Sequence, residues 1–163
     1  MATIRIPIDL KNPRVTSLAG NSFFTVIGLT AWDAGHWEFV KDVDGKIYGA
    51  AIVDLQGGAF SSAQVRLIQA WNATTGVSRM SMGYDSPADG ASLNPASLTA
   101  IAAQDITVPA TARLRKDVVF TGLTGLAQDD LVIFEFFHEG AHLNDTVAVN
   151  TELFDAVMEI TTT

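Results

Sequence analysis

One string in the sequence has the spacing of a zinc protease motif, namely HEGAH over residues 138–142. On a helix this spacing places two imidazoles on one face to bind zinc and leaves the glutamate to activate water. The residues before it, 132–137, are typical of a strand, and a glycine inside the string weakens a helix. We therefore expect a chance match in a polar loop, in which His138, Glu139 and His142 bind no metal and catalyse nothing. The alternative is an adventitious metal contact through His138, His142 or Asp145.

Three tryptophans could contribute to a binding surface: Trp32, Trp37 and Trp71. Aromatic faces pack against the apolar faces of sugars as they do against one another, so these residues could form a sugar platform or an interface, together with Tyr84. Large aromatic side chains are also common core residues. The sequence leaves both interpretations open.

The other chemical signals are weaker. Asp33, His36 and Glu38 could form a cluster of carboxylates and imidazole, but such groupings arise by chance in an acidic chain and then face solvent. No serine lies in a G-x-S-x-G elbow, no glycine-rich loop precedes a helix, and the chain has no cysteine. We predict no catalytic residue, no cofactor and no enzymatic activity.

Charge and hydropathy limit the partners. The formal charge of −8 repels phosphate backbones, so we expect no nucleic-acid partner. No stretch approaches the roughly 18 apolar residues that span a membrane, and no signal peptide is recognisable, so we expect a soluble protein made in the cytosol. The mean hydropathy of +0.24 suggests apolar surface covered by another subunit.

Short β-rich segments separated by Gly, Asn, Asp and Pro predict an all-β domain. Residues 64–71 alternate between apolar and polar and predict a hairpin with residues 77–84. In the last strand, alternation places Phe154 on the inner face with Ala156, Met158 and Ile160. Asn94 and Pro95 predict one short helical turn near residues 94–102.

These elements predict one domain over residues 1–163, an antiparallel two-sheet β-sandwich of the jelly-roll kind with about eight to ten strands. The proline at position 7 confines the first strand to a sheet edge. We expect residues 1–12 to form an edge strand that docks on the sheet of a neighbouring chain.

Several stretches together resemble small β-sandwich virion structural proteins of tailed bacteriophages, of the head-decoration or fibre type. The resemblance covers most of the chain from Trp32 onward and is carried by residues 37–40, 45–49, 65–67, 71–76, 122–132, 144–147 and 153–161. It implies a non-enzymatic role and no catalytic residues.

The resemblance leads to the functional hypothesis of a capsid decoration protein. Such a protein is expected to assemble as a homo-oligomer, commonly a trimer, to contact other virion proteins such as the major capsid protein, and to reside in the virion after assembly in the host bacterial cytoplasm. The alternative is a tail or fibre module that binds a receptor or carbohydrate through Trp32, Trp37 and Trp71.

Overall fold

The computed structural model describes residues 1–10, 22–28, 33–92 and 97–163, and for residues 22–28, 33 and 34 it describes the backbone alone. These parts of the chain contain ten strands and no helix. None of the described residues forms a helix able to cross a membrane. The strands are β1 (Ala2–Pro7), β2 (Ser22–Gly28), β3 (Asp33–Phe39), β4 (Asp44–Ile52), β5 (Phe60–Trp71), β6 (Val77–Asp85), β7 (Thr99–Thr107), β8 (Lys116–Leu123), β9 (Leu131–Glu139) and β10 (Thr151–Thr162).

The ten strands form two antiparallel sheets. The first has the order β2-β3-β10-β5-β8 with β1 also paired to β10, and the second has the order β4-β9-β6-β7. From β3 to β10, every connection except that between β6 and β7 crosses from one sheet to the other, which is the topology of a jelly roll. The predicted all-β sandwich and its strand number are confirmed in the described residues. The predicted β5–β6 hairpin is wrong, because these strands lie in different sheets.

The core lies between the sheets and follows the two-residue period of the strands. On β5, Val65 and Leu67 are fully buried, and on β9 the same holds for Val132, Phe134 and Phe136. Burying each such side chain contributes about 1.5–3 kcal/mol to folding. The alternation visible in the sequence therefore defines which face of each sheet is internal.

The predicted helical turn near residues 94–102 is wrong where the structure describes it. Residues 99–102 begin β7, which pairs with β6 through Tyr84↔Thr99 and Met82↔Ile101. Residues 93–96, including the predicted cap at Asn94, lie outside the described residues. Pairing along the edge of β6 supplies partners for the backbone of residues 99–102, and this tertiary contact outweighs the local helical preference of an alanine-rich segment.

The first strand pairs with β10 of its own chain, from Ala2↔Thr162 to Pro7↔Val157. The chain then crosses to the other sheet, where the backbones of Asp9 and Ala50 exchange two hydrogen bonds of 2.9 and 3.3 Å. We call residues 7–10 the strap. A Cβ at Gly49 would lie 2.6 Å from the Cγ2 atom of Ile8, so the close approach of the strap to β4 requires glycine there.

The strap and β1 belong to the core of this chain, since Ile4, Ile8 and Leu10 are all buried. Removal of residues 1–12 would therefore destabilise the fold itself. Docking of this segment on a neighbouring chain stays a prediction.

Candidate functional site

A groove opens where one edge of β10 changes partner. On this edge β3 pairs with Thr151–Leu153, and β1 pairs with Val157–Thr162. Phe154 and Asp155 fall between these two partners. The pairing of β10 with β5 on its opposite edge shifts register at the same place, between Leu153 and Asp155. Such a bulge re-aims a side chain and leaves the sheet edge locally open.

The groove has a volume of about 650 Å³. The strap, Pro7–Leu10, forms one wall, and β3 forms the other through Gly35, His36 and Trp37. Phe154 and Asp155 line it between the two walls. Trp37 and Phe154 are partly exposed, with part of Trp37 packed against the core, and the carboxylate-bearing residues Asp9 and Asp155 are exposed. The site therefore combines aromatic surface with hydrogen-bond acceptors.

Phe154 and His36 form an aromatic pair in this groove. Their ring centroids are 5.1 Å apart with an angle of 28° between the planes. The His36 Nε2 atom lies 3.1 Å from the Oε1 atom of Glu38, and Asn150 Nδ2 donates to Glu38 Oε2 at 2.6 Å. Asp155 Oδ1 accepts a hydrogen bond from the backbone N–H of Ala156 at 2.8 Å, which holds the bulge beside the ring pair.

Glu38 lies directly opposite Glu152 in the pairing of β3 with β10. The Glu152 side chain is 6% exposed and lies 3.6 Å from the Arg113 guanidinium, while its Oε2 atom has no hydrogen-bond partner among the described residues. Burial raises the pKa of Glu152, Arg113 and His36 oppose the shift, and Glu38 adds to it. Glu38 and Glu152 therefore lie on the same face of the sheet. Both oxygens of Glu38 have partners, whereas Glu152 is more deeply buried. Asp33 begins β3, but its side chain lies outside the described residues.

The three predicted tryptophans do not form one surface. Trp37 lines the groove, whereas Trp71 is 1% exposed inside the sandwich. Tyr84 is also buried, and its hydroxyl accepts a hydrogen bond from the backbone N–H of Thr124. Trp32 lies outside the described residues. Of the predicted aromatic residues, the described structure places Trp37 alone at the groove.

Phe154 is a groove residue that the sequence pattern missed. Alternation predicted it on the inner face, but the bulge places Leu153 in the core instead and leaves Phe154 partly exposed. Ala156, Met158 and Ile160 are buried as predicted. Leu153 and Phe154 are adjacent apolar residues, and alternation alone does not decide which of them faces the core.

The prediction that the HEGAH string lies in a polar loop is wrong for its first two residues: His138 and Glu139 end β9, and residues 140–142 enter a turn. His138 points into the core and is 0% exposed, with its Nε2 atom 2.9 Å from the Oδ2 atom of the equally buried Asp145. Glu139 faces the other side of the sheet and pairs with Arg79 at 2.7 Å. His142 accepts a hydrogen bond at Nδ1 from the backbone N–H of Asn144. The three side chains do not converge.

In the part of the chain that the structure describes, no group of three or more His, Asp or Glu side chains is arranged to hold a metal ion. His138 pairs with Asp145, and His36 pairs with Glu38. The alternation of β9, with Val132, Phe134 and Phe136 pointing inward, is the signal that places His138 in the core.

No family model matches the chain, and no curated protein matches it. Among solved structures, it is similar to a carbohydrate-binding module of lichenase 5A from Cellvibrio mixtus, in complex with cellotriose, with 9% identity, a TM-score of 0.48 and all of both chains covered. It is also similar to the C-terminal carbohydrate-binding module of a laminarinase from Zobellia galactanivorans, with 10% identity, a TM-score of 0.41, and 98% and 100% of the two chains covered.

An arabinose-bound α-L-arabinofuranosidase matches with 10% identity and a TM-score of 0.48, over 94% of this chain and 26% of its own. The chain thus spans about a quarter of the length of that enzyme. TM-scores below 0.5 assign neither a family nor a ligand, and the groove has to be interpreted from its own residues.

Proposed function

We propose that this chain is a non-catalytic glycan-binding module and that a sugar chain binds in the groove between the strap and β3. The observation that carries the proposal is the exposure of Trp37 and Phe154 in one groove together with the carboxylates of Asp9 and Asp155. Ligand sites typically combine apolar and aromatic lining with a few polar groups that fix orientation.

Sugars suit this lining for two physical reasons. The C–H faces of a pyranose pack on aromatic rings, which supply large rigid contact area. Sugar hydroxyls donate hydrogen bonds to carboxylates, and such charge-assisted bonds are stronger than neutral ones. The volume of about 650 Å³ suits a short oligosaccharide and lies within the usual range for ligand pockets.

The fold does not by itself separate this proposal from the virion role that the resemblance implies, because jelly rolls occur in both lectin and capsid domains. One observation favours an assembly role as well. The outer edge of β1 pairs with no strand in the described residues and is therefore a template for another chain. A homotrimer bound to a capsid protein remains a proposal. Light scattering of the purified chain tests whether the chain forms a trimer.

Glycan binding is tested by screening the purified chain on an array of bacterial and plant polysaccharides, followed by calorimetric titration with the best ligand. Phe154→Leu and Trp37→Leu keep an apolar side chain at each position but remove the ring face. We expect each to weaken binding about two- to thirteenfold, because an aromatic contact contributes roughly 0.5–1.5 kcal/mol beyond its area.

The matched control is Leu143→Ala, since Leu143 is 86% exposed and lies outside the groove. Its affinity should equal that of the parent chain. Thermal unfolding of every variant separates lost binding from lost folding. The proposal is wrong if no glycan binds, or if folded Phe154→Leu and Trp37→Leu bind as tightly as the parent.

A further inference from the structure

The aromatic surface of the groove connects to a chain of polar contacts that leads away from it. Asn150 does not line the groove, yet its Nδ2 atom donates to Glu38 Oε2 at 2.6 Å. Glu38 Oε1 in turn lies 3.1 Å from His36 Nε2, and the His36 ring stacks on Phe154 at 5.1 Å. Three consecutive contacts thus join Asn150 to Phe154, an aromatic residue that lines the groove.

The far end of this chain is fixed to the backbone. Asn150 Oδ1 accepts a hydrogen bond from the backbone N–H of Lys41 at 3.1 Å, in the turn that follows β3. Asn150 therefore uses its amide oxygen for the turn and its amide nitrogen for Glu38, so its side chain has a defined orientation. Glu38 is also anchored from both sides, since its two oxygens have different partners.

The near end of this chain of contacts is Phe154, at the open part of the β10 edge. Phe154 lies at the register shift of β10, where neither β1 nor β3 pairs with it. Its ring is partly exposed, whereas His36 is 1% exposed. A buried imidazole held by a carboxylate is a rigid surface for that ring, and a rigid ring loses less conformational entropy when a ligand binds.

We propose that Asn150 and Glu38 are positioning residues for the glycan site, acting through His36 to hold the Phe154 ring in the groove. This inference rests on the proposed function. It assigns a binding role to two residues that need not touch the ligand.

The test is a double-mutant cycle between Asn150→Ala and Phe154→Leu, with affinity for the best array glycan measured by calorimetry. If Asn150 acts through Phe154, Asn150→Ala weakens binding about fivefold in the parent chain and has almost no effect in the Phe154→Leu background, because coupled residues are non-additive. A general loss of stability gives equal effects in both backgrounds, so additivity overturns the inference. An unchanged affinity of Asn150→Ala in the parent chain overturns it as well.

Two further variants sharpen the result. Glu38→Gln keeps an oxygen for Asn150 and an N–H for His36, so it should retain most of the affinity that Glu38→Ala loses. Asn144→Ala is the matched control, because Asn144 makes the same type of bond, to Asp105 Oδ2 at 3.0 Å, in the same connection between β9 and β10. Equal losses in Glu38→Gln and Glu38→Ala contradict the inference.

Failure of the proposed function gives a different result. In that case no glycan binds the parent chain, or Phe154→Leu itself leaves binding unchanged. If only the inference fails, Phe154→Leu still weakens glycan binding. Asn150→Ala then either weakens binding equally in both backgrounds or leaves the affinity unchanged.

Discussion

Trp71 donates a hydrogen bond from Nε1 to the Oγ1 atom of Thr151 at 2.9 Å, inside the sandwich. Thr151 Oγ1 also lies 2.9 Å from Ser78 Oγ, so the three residues form a buried polar contact between the two sheets. The relationship explains why Trp71 is unavailable as a sugar platform. Its ring fills the core, and its one polar atom is already satisfied.

Thr151→Val should lower the free energy of unfolding by about 1–3 kcal/mol, because it leaves the indole N–H and the Ser78 hydroxyl buried without this partner. Urea unfolding measures the change. Thr161→Val, on a partly exposed position of the same strand, is the control and should change stability by less than about 0.5 kcal/mol. Equal stability of Thr151→Val and the parent chain would contradict the assigned role.

Glu159 should contribute pH-dependent stability. It accepts hydrogen bonds from Arg66, Gln64 and Arg5, and the Arg66 contact chiefly lowers its pKa from 4.5 to about 2. Because the pKa is lower in the folded chain, this stability is present above about pH 4.5 and is lost as the pH falls towards 2.

We therefore expect Glu159→Gln to lower the free energy of unfolding by about 1–3 kcal/mol at pH 7 and to approach the parent chain near pH 2. Urea unfolding at several pH values measures the gap. Glu135→Gln, which removes a more exposed contact with Lys46, is the control and should cost about 1 kcal/mol or less. A gap for Glu159→Gln that is constant with pH argues against this explanation.

Glu152 should make stability depend on pH in the opposite direction. Burial and the facing Glu38 raise its pKa, so the favourable contribution of the protonated form is present below the unfolded pKa and is lost as the pH rises through the folded pKa. Glu152→Gln should stabilise the chain at pH 7, by an amount on the order of 1 kcal/mol, and should match the parent chain below about pH 4. Destabilisation at pH 7 would show that the Arg113 contact outweighs burial.

Gln69 should be a site where the fold can be stabilised. It is fully buried on the core face of β5, and neither amide atom has a hydrogen-bond partner in the part of the chain that the structure describes. Gln69→Met keeps the length of the side chain and removes the unpartnered groups, so we expect a gain of about 1–3 kcal/mol in chemical denaturation. Gln64→Met is the matched control on the same strand and should destabilise, because Gln64 donates to Glu159 at 2.6 Å.

The position of Gln69 also illustrates how far the sequence can predict the core. Val65, Leu67 and Trp71 alternate on one face, and the same period places Gln69 there despite its polarity. The pattern that marks Val132, Phe134 and Phe136 as internal does the same for His138. Alternation therefore predicts burial for polar residues too, while their partners depend on other strands.

The candidate site was less predictable. Trp37 was among the residues expected to bind a ligand, but its neighbours in the groove come from the strap and from β10, which lie far from it in the sequence. Alternation places Phe154 on the wrong face, because a bulge shifts the register of β10 at this residue.

Local sequence patterns are enough to predict the all-β class, the inner face of β5 and the lack of a helix around residues 138–142. These properties depend on short-range periodicity, which every strand carries in its own residues. Three further features emerge only in the folded chain: β5 and β6 lie in different sheets, residues 99–102 form a strand, and β1 pairs with β10. The same holds for the position of Phe154 in a groove, because each of these outcomes depends on pairing between segments distant in the chain, and no local pattern encodes the partner.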